Sequence, residues 1–90
     1  MTYEPLSEGG IVRSRAGRDR GRTFVVRKVL DADYVLLVDG TLRTLEHPKK
    51  KKRRHLLKVS ETRMELSGRL ENADFRKFLK AQGFQNDRNE

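Results

Sequence analysis

No cysteine occurs in the 90-residue chain. Disulfides, thiolate zinc sites and a cysteine nucleophile are excluded together, and the chain suits a reducing compartment. Apolar residues are sparse as well, 34% of the chain against 38% charged, so the core must be small. A chain of this size buries only roughly 60–65% of its unfolded surface. No apolar run approaches the ~20 residues that a bilayer span needs. Met1 to Gly10 is mixed and acidic at Glu4 and Glu8. It reads as neither a secretory signal nor a transit peptide, and the cytoplasm is the expected location. Histidine occurs twice, at His47 and His55, with no third ligand candidate beside them, so no metal site is expected. Neither a nucleophile–base–orienter set nor a Walker-type phosphate loop is present, so the reading is non-catalytic and without a cofactor.

Acidic residues are scarce in one half only. Residues 10–58 carry 15 Lys and Arg against 5 Asp and Glu, whereas the other 41 residues carry 6 against 8. The net charge of +8 is thus confined to one contiguous stretch. A field of that sign and density attracts polyanions, of which nucleic acid is the commonest in a cell.

Residues 1–9 are polar, hold Pro5 and lead into Gly9-Gly10, and are expected to form a flexible lead-in. Residues 10–59 carry the strand signals. Ile11-Val12-Arg13-Ser14-Arg15 is a short first strand, followed by a basic turn, Gly17-Arg18-Asp19-Arg20-Gly21-Arg22, bracketed by glycines. Residues 23–30 are β-branched and aromatic, Asp31-Ala32-Asp33 turns the chain, and Tyr34-Val35-Leu36-Leu37-Val38 is its most apolar run. Asp39-Gly40 signals a tight hairpin, with residues 41–45 as the returning strand. Pro48 then opens the run Lys49-Lys50-Lys51-Lys52-Arg53-Arg54. Six like charges neither pack nor pair, so this run is expected to interrupt the strands before a last one over residues 55–59. Five short antiparallel strands suggest a small SH3-like barrel, because closure removes exposed edges; an open sheet is the alternative.

The period changes in residues 60–90, the C-terminal helical appendage. Asn72 suits an N-cap and Asp74 the helix N-terminus, while Phe75, Phe78, Leu79 and Gln82 share a face. Gly83 then stands at C′, with Phe84 placed to contact Leu79. The predicted helix covers residues 73–82 and docks its phenylalanines on the outside of the sheet, since a helix this short is marginal alone. Gly68 argues against one continuous helix through residues 60–71.

Arg15, Arg18, Arg20 and Arg22 alternate with small residues around the basic turn. Guanidinium groups bind phosphate bidentately and stack on unpaired bases. The bland alternative is a solvated loop. Asp19 either orients a neighbouring arginine or reduces repulsion. The lysine run supplies point charges along a phosphate backbone, giving affinity without sequence readout. Its competing readings are a nuclear-localisation-like segment, a polybasic membrane contact and a solubilising loop; no lipidation signal supports the membrane reading. The histidines extend the basic surface. Tyr34, Phe24 and the helix phenylalanines read as core rather than as stacking platforms.

From Gly10 through the basic turn to Phe24-Val25-Val26 the chain resembles the KOW motif, in which a short alternating strand leads through a basic turn with a characteristic glycine, here Gly21, into a second strand. The continuation Asp33-Tyr34-Val35-Leu36-Leu37-Val38-Asp39-Gly40, Leu42-Arg43 and Pro48 with its lysines resembles the KOW proteins of the large ribosomal subunit, the archaeal and eukaryotic ribosomal protein fourteen lineage and its small bacterial relatives. The resemblance spans residues 10–58. Many KOW motifs carry another glycine where this chain has Thr23-Phe24, and the C-terminal helix has no matched counterpart. What it implies is an SH3-like barrel acting in translation as a ribonucleoprotein component. RNA, ribosomal RNA first, is the implied partner, with ribosomal proteins as neighbours, no membrane, and a monomer away from RNA. The RNA-binding residues expected are Arg13, Arg15, Arg18, Arg20, Arg22, Lys49, Lys50, Lys51, Lys52, Arg53, Arg54 and His55. KOW barrels also bind proteins, so a protein-interaction module of the transcription or translation machinery is the alternative.

Overall fold

Short β-branched and apolar runs bounded by turn residues decide the first three strands. The computed structural model describes residues 6–84 and residue 86. In it β1 (Gly10–Ser14), β2 (Thr23–Val29) and β3 (Tyr34–Val38) are followed by β4 (Lys49–Lys52), a 3₁₀ turn over Arg53–His55, β5 (Leu56–Arg63) and helix α1 (Asn72–Ala81). The strands form one antiparallel sheet in the order β4-β3-β2-β1-β5. Val12, Phe24, Val26, Val35, Leu37 and Leu56 fill one face. On the other, Ile11, Val25 and Val38 lie in register across β1, β2 and β3 and pack against Phe75 and Leu79 of α1. The helix therefore docks on the outer face, as its phenylalanine spacing predicts.

The sheet curls. Four flat interstrand steps of about 4.8 Å would separate its edge strands by roughly 19 Å. Yet the chain leaves β4 at Lys52 and enters β5 at Leu56, and four extended residues span at most about 14 Å. The two edges are thus drawn toward each other, while β4 and β5 remain the two ends of an open hydrogen-bond ladder.

Several expectations need correction. The lysine run does not interrupt the sheet, because Lys49 to Lys52 are β4, paired with Leu37 to Tyr34 of β3. Main-chain hydrogen bonds sustain that pairing while charged side chains protect the edge from further strands. Residues 41–45 are not a strand. The Asp39 carboxylate accepts hydrogen bonds from the N–H groups of Thr41 and Arg43 at 2.9 and 3.0 Å, withdrawing donors that a ladder would need. Among the described residues only glycines have positive φ, so Asp39-Gly40 is not a type I′ turn. Gly40 has φ +82°, and a Cβ there would clash with the Asn72 carbonyl and lie 2.9 Å from Arg76 Cγ, so the helix start sits directly on this glycine. β5 is longer than expected, reaching Arg63.

The helix N-cap is Glu71, one residue before the expected Asn72, in a reciprocal capping box with Asp74. Asn72 instead accepts from Leu45 N–H at 2.8 Å and donates to Glu46 at 3.0 Å, tying the β3–β4 loop to the helix. That hydrogen bond is the main cause holding the Glu46 carboxyl below its ordinary value. At the C-terminus the Schellman pattern is present, Phe84 N–H donating to Leu79 and Gly83 N–H to Lys80. Gln82 is exposed rather than on the docked face. Met64, Leu66 and Leu70 carry the segment between β5 and α1 over the outer core. Residues 1–5 of the expected lead-in lie outside the described residues. Leu6 packs on the inner core, and Gly9 donates to Val26 and accepts from Met64 at 2.7 and 2.8 Å.

Candidate nucleic-acid interface

The basic turn is closed at its base by Ser14 and its neighbours. Ser14 N–H donates to Arg22 at 3.0 Å, and Gly21 N–H donates to Ser14 at 2.8 Å. Gly21 has φ +87° with open space around its Cα, so backbone conformation rather than crowding requires glycine. Inside the turn, Asp19 is buried and its carboxylate takes the Arg43 guanidinium at 2.9 and 3.2 Å. Asp19 therefore reaches the β3–β4 loop and not a neighbouring arginine. With the acid drawn inward, Arg18 and Arg20 are exposed, as are Arg13 on β1 and Arg15 at the base of the turn.

Arg22 differs from these four. Its guanidinium lies 2.9 Å from Asp39, whose side chain is 1% exposed. Asp39 also receives Asn86 at 2.9 Å. The two pairs, Arg22–Asp39 and Arg43–Asp19, brace the basic turn against the β3–β4 loop from both directions. Arg22 thus has a structural post, and Arg43, outside the expected set, shares it.

The 3₁₀ turn gathers the basic segments. Arg53 N–H donates to Asp33 in the β2–β3 turn at 2.8 Å, and Arg15 N–H donates to His55 at 2.8 Å. In a flat sheet the turns at either end of β2 would stand a strand length apart. Here both hold the same three-residue segment. Lys51 completes the junction. It pairs with Val35 on the inner face, is only 9% exposed, and donates from Nζ to the Ala16 carbonyl at 2.7 Å. Of the lysine run, Lys50 and Arg54 are exposed, while Lys49, Lys52, Arg53 and His55 are half-buried.

His55 reports the field that results. Its imidazole is held below its ordinary pKa, first by desolvation and then by the charges of Arg54, Lys51, Lys52 and Arg15. The arginine turn and the lysine run therefore share one rim. The exposed acids beside it are Asp31 and Asp33. Asp31 accepts from Asp33 and Tyr34 N–H, both at 2.8 Å, and these bonds are the main cause lowering its pKa, with Lys50 contributing.

Two rim residues escaped the sequence reading. Tyr34 is half-buried on the outer face rather than in the core, with Lys50 and Lys52 Nζ 4.7 and 6.0 Å from its ring centroid. Phe24 and Phe75 are buried as expected, and Phe78 and Phe84 pack partly against the outer core. Lys28 is exposed and reaches the same patch through the register Lys28–Leu36–Lys50. Strand pairing was the missing signal. Once Lys50 and Lys52 alternate outward on β4, their neighbours Leu36 and Tyr34 must face the same side.

Among the described residues no group of three or more His, Asp or Glu is placed to hold a metal ion, and no helix is long and apolar enough to cross a membrane. Comparison with known protein families and with curated protein sequences found no match.

Proposed function

We propose that the chain is a non-catalytic RNA-binding protein of the KOW type, an SH3-like barrel associated with the ribosome in the cytoplasm, with ribosomal RNA as its first candidate ligand. One observation carries this reading: the basic turn and the lysine run, separated by some thirty residues, converge on the 3₁₀ turn Arg53–His55 through Arg15 N–H to His55 and Lys51 Nζ to Ala16. A single polyanion can bridge cations so arranged. Arg13, Arg15, Arg18 and Arg20 meet phosphate from one side, and Lys50, Lys52, Arg53, Arg54 and His55 from the other, whereas Lys49 pairs with Leu37 on the inner side of β4. Lys51 and Arg22 hold the rim in shape from within. Curling of the sheet and the short turn from β4 to β5 support the barrel. Guanidinium groups supply bidentate geometry and lysines supply charge, so affinity is broad in sequence and steep in salt.

The test is a salt titration of binding to structured and single-stranded RNA. With ~5 phosphates contacted on a single strand, log K falls against log salt with a slope near −3.5. Neutralising Lys50, Lys52, Arg53 and Arg54 to Gln flattens that slope and weakens binding across sequences. Unchanged affinity and slope defeat the assignment. An acidic polypeptide that displaces RNA and binds more tightly at equal salt favours a protein partner instead.

A further inference from the structure

Tyr34 stands where the cations are densest, although an apolar strand could have placed any β-former there. Three features coincide around its ring. Lys50 and Lys52 lie over it at 4.7 and 6.0 Å. A cavity of about 280 Å³ opens beside it, lined by Tyr34, Lys52, Arg53, Arg54, Ala32 and Asp33. The main chain at its strand end is also held from both sides. Tyr34 N–H donates to Asp31 at 2.8 Å, and neighbouring Asp33 accepts from Arg53 at 2.8 Å.

An aromatic face supplies a sequence-tolerant stacking platform for a base, and surrounding cations supply phosphate contacts. We infer that Tyr34, with Lys50, Lys52, Arg53 and Arg54, forms a subsite for one unpaired nucleotide, the base stacked on the phenol ring and its phosphate taken by the flanking cations. This rests on the RNA reading and narrows it, since a base in a duplex has no free face to offer. Stacking displaces an ammonium from the ring, and the released lysine meets the phosphate of the same nucleotide. Asp33, the acid in the cavity wall, disfavours a second phosphate there. Without a ligand the two lysines occupy the ring as cation–π partners. Their contact alone would make Tyr34 a spacer for like charges, the reading that the experiment must separate.

The probes are a single-stranded uridine dodecamer and an abasic ribose-phosphate dodecamer of equal charge. The full chain, Tyr34→Phe and Tyr34→Leu are compared at several salt concentrations. Removing a stacked ring costs about 5- to 150-fold in affinity. Tyr34→Leu is therefore expected to lose that factor toward the uridine oligomer, keep its affinity for the abasic one, and leave the salt slope unchanged; Tyr34→Phe restores binding. Equal behaviour of Tyr34→Leu and the parent chain toward uridine overturns the subsite, as does an equal loss toward both oligomers. Salt-dependent binding that ignores Tyr34 overturns the subsite alone, whereas no binding of either oligomer overturns the RNA reading with it. A second measurement covers a variant that fails to fold. The chain has no tryptophan and two tyrosines, so Tyr3→Phe leaves Tyr34 as the sole emitter. Quenching by the uridine oligomer and not by the abasic one supports stacking, and equal quenching by both overturns it.

Discussion

Lys51 Nζ lies 2.7 Å from the main-chain oxygen of Ala16, joining β4 to the turn after β1 across the inside of the curl. Lys51 is only 9% exposed, so this lysine of the run is spent on architecture. Lys51→Met keeps the apolar stem and removes the charged donor, leaving the Ala16 carbonyl only the Ser14 hydroxyl at 3.0 Å. A hydrogen bond to a charged group contributes about 1.5–3 kcal/mol. Urea unfolding of Lys51→Met is expected to show a loss of that order, with little change in the salt slope of RNA binding. Lys50→Met is expected to show the opposite pattern.

The crossed pairs make the basic turn depend on the β3–β4 loop. Asp39 accepts from Arg22, from Asn86 and from the N–H groups of Thr41 and Arg43. Removing one partner of a buried, hydrogen-bonded pair costs about 3–5 kcal/mol. For a small domain with 5–15 kcal/mol in total, Asp39→Ala is expected to unfold at markedly lower urea or to be largely unfolded. Asp19→Ala is the milder change, because the Arg43 side chain is 30% exposed and water can solvate it. A larger loss in Asp19→Ala than in Asp39→Ala contradicts this ranking.

The helix depends on its docked aromatics more than on its own propensity. Phe75 is fully buried between Ile11, Val25 and Val38, whereas Phe78 is only half-buried. Phe75→Ala is expected to cost about 3–5 kcal/mol and to reduce helical circular dichroism cooperatively with the sheet signal. Phe78→Ala costs less. Arg76 adds a polar tether, Nη1 donating to Gly40 at 2.6 Å. If Phe75→Ala melts the helix while the sheet stays intact, the outer core is not one cooperative unit with the inner one.

Strands β1, β2 and β3 and the Schellman ending are legible because each rests on a local pattern: alternation, β-branching, or glycine followed by phenylalanine. β4 is illegible for a physical reason. Lys49 to Lys52 have no hydrophobic period, and they pair because β3 offers an unpaired edge, a long-range cause that charge hides. The expected strand at residues 41–45 fails through competition, since one Asp39 carboxylate captures the donors the ladder needs. The candidate site divides the same way. That Arg18 and Arg20 are outward while Arg22 is inward depends on where Asp39 lies, 17 residues on from Arg22. Nothing in the spacing of the arginines separates them. Asn72 is the better cap locally, but its side chain is engaged by Leu45 of the β3–β4 loop, and Glu71 caps the helix with Asp74.

His55 turns the crowding of cations into a dependence on pH. In the free protein its pKa lies below the ordinary imidazole value of about 6.5, with desolvation first and Arg54, Lys51, Lys52 and Arg15 adding to it. A group whose folded pKa is depressed contributes stability that is complete above the unfolded value and declines as pH falls through the folded one. The free protein is therefore expected to lose stability on acidification through that window. On the proposed function, RNA is expected to act with the opposite sign. Phosphates at the rim would offset those four cations, so the imidazole is expected to gain a proton on binding and affinity to rise as pH falls from 7.5 toward 5.5. His55→Gln is expected to bind nearly as well at pH 7.5 and to lose most of the rise at pH 5.5, with His47 present in both proteins as a common background. Equal pH dependence in the two proteins would show that the phosphates do not come near the 3₁₀ turn. The rim would then bind its partner elsewhere.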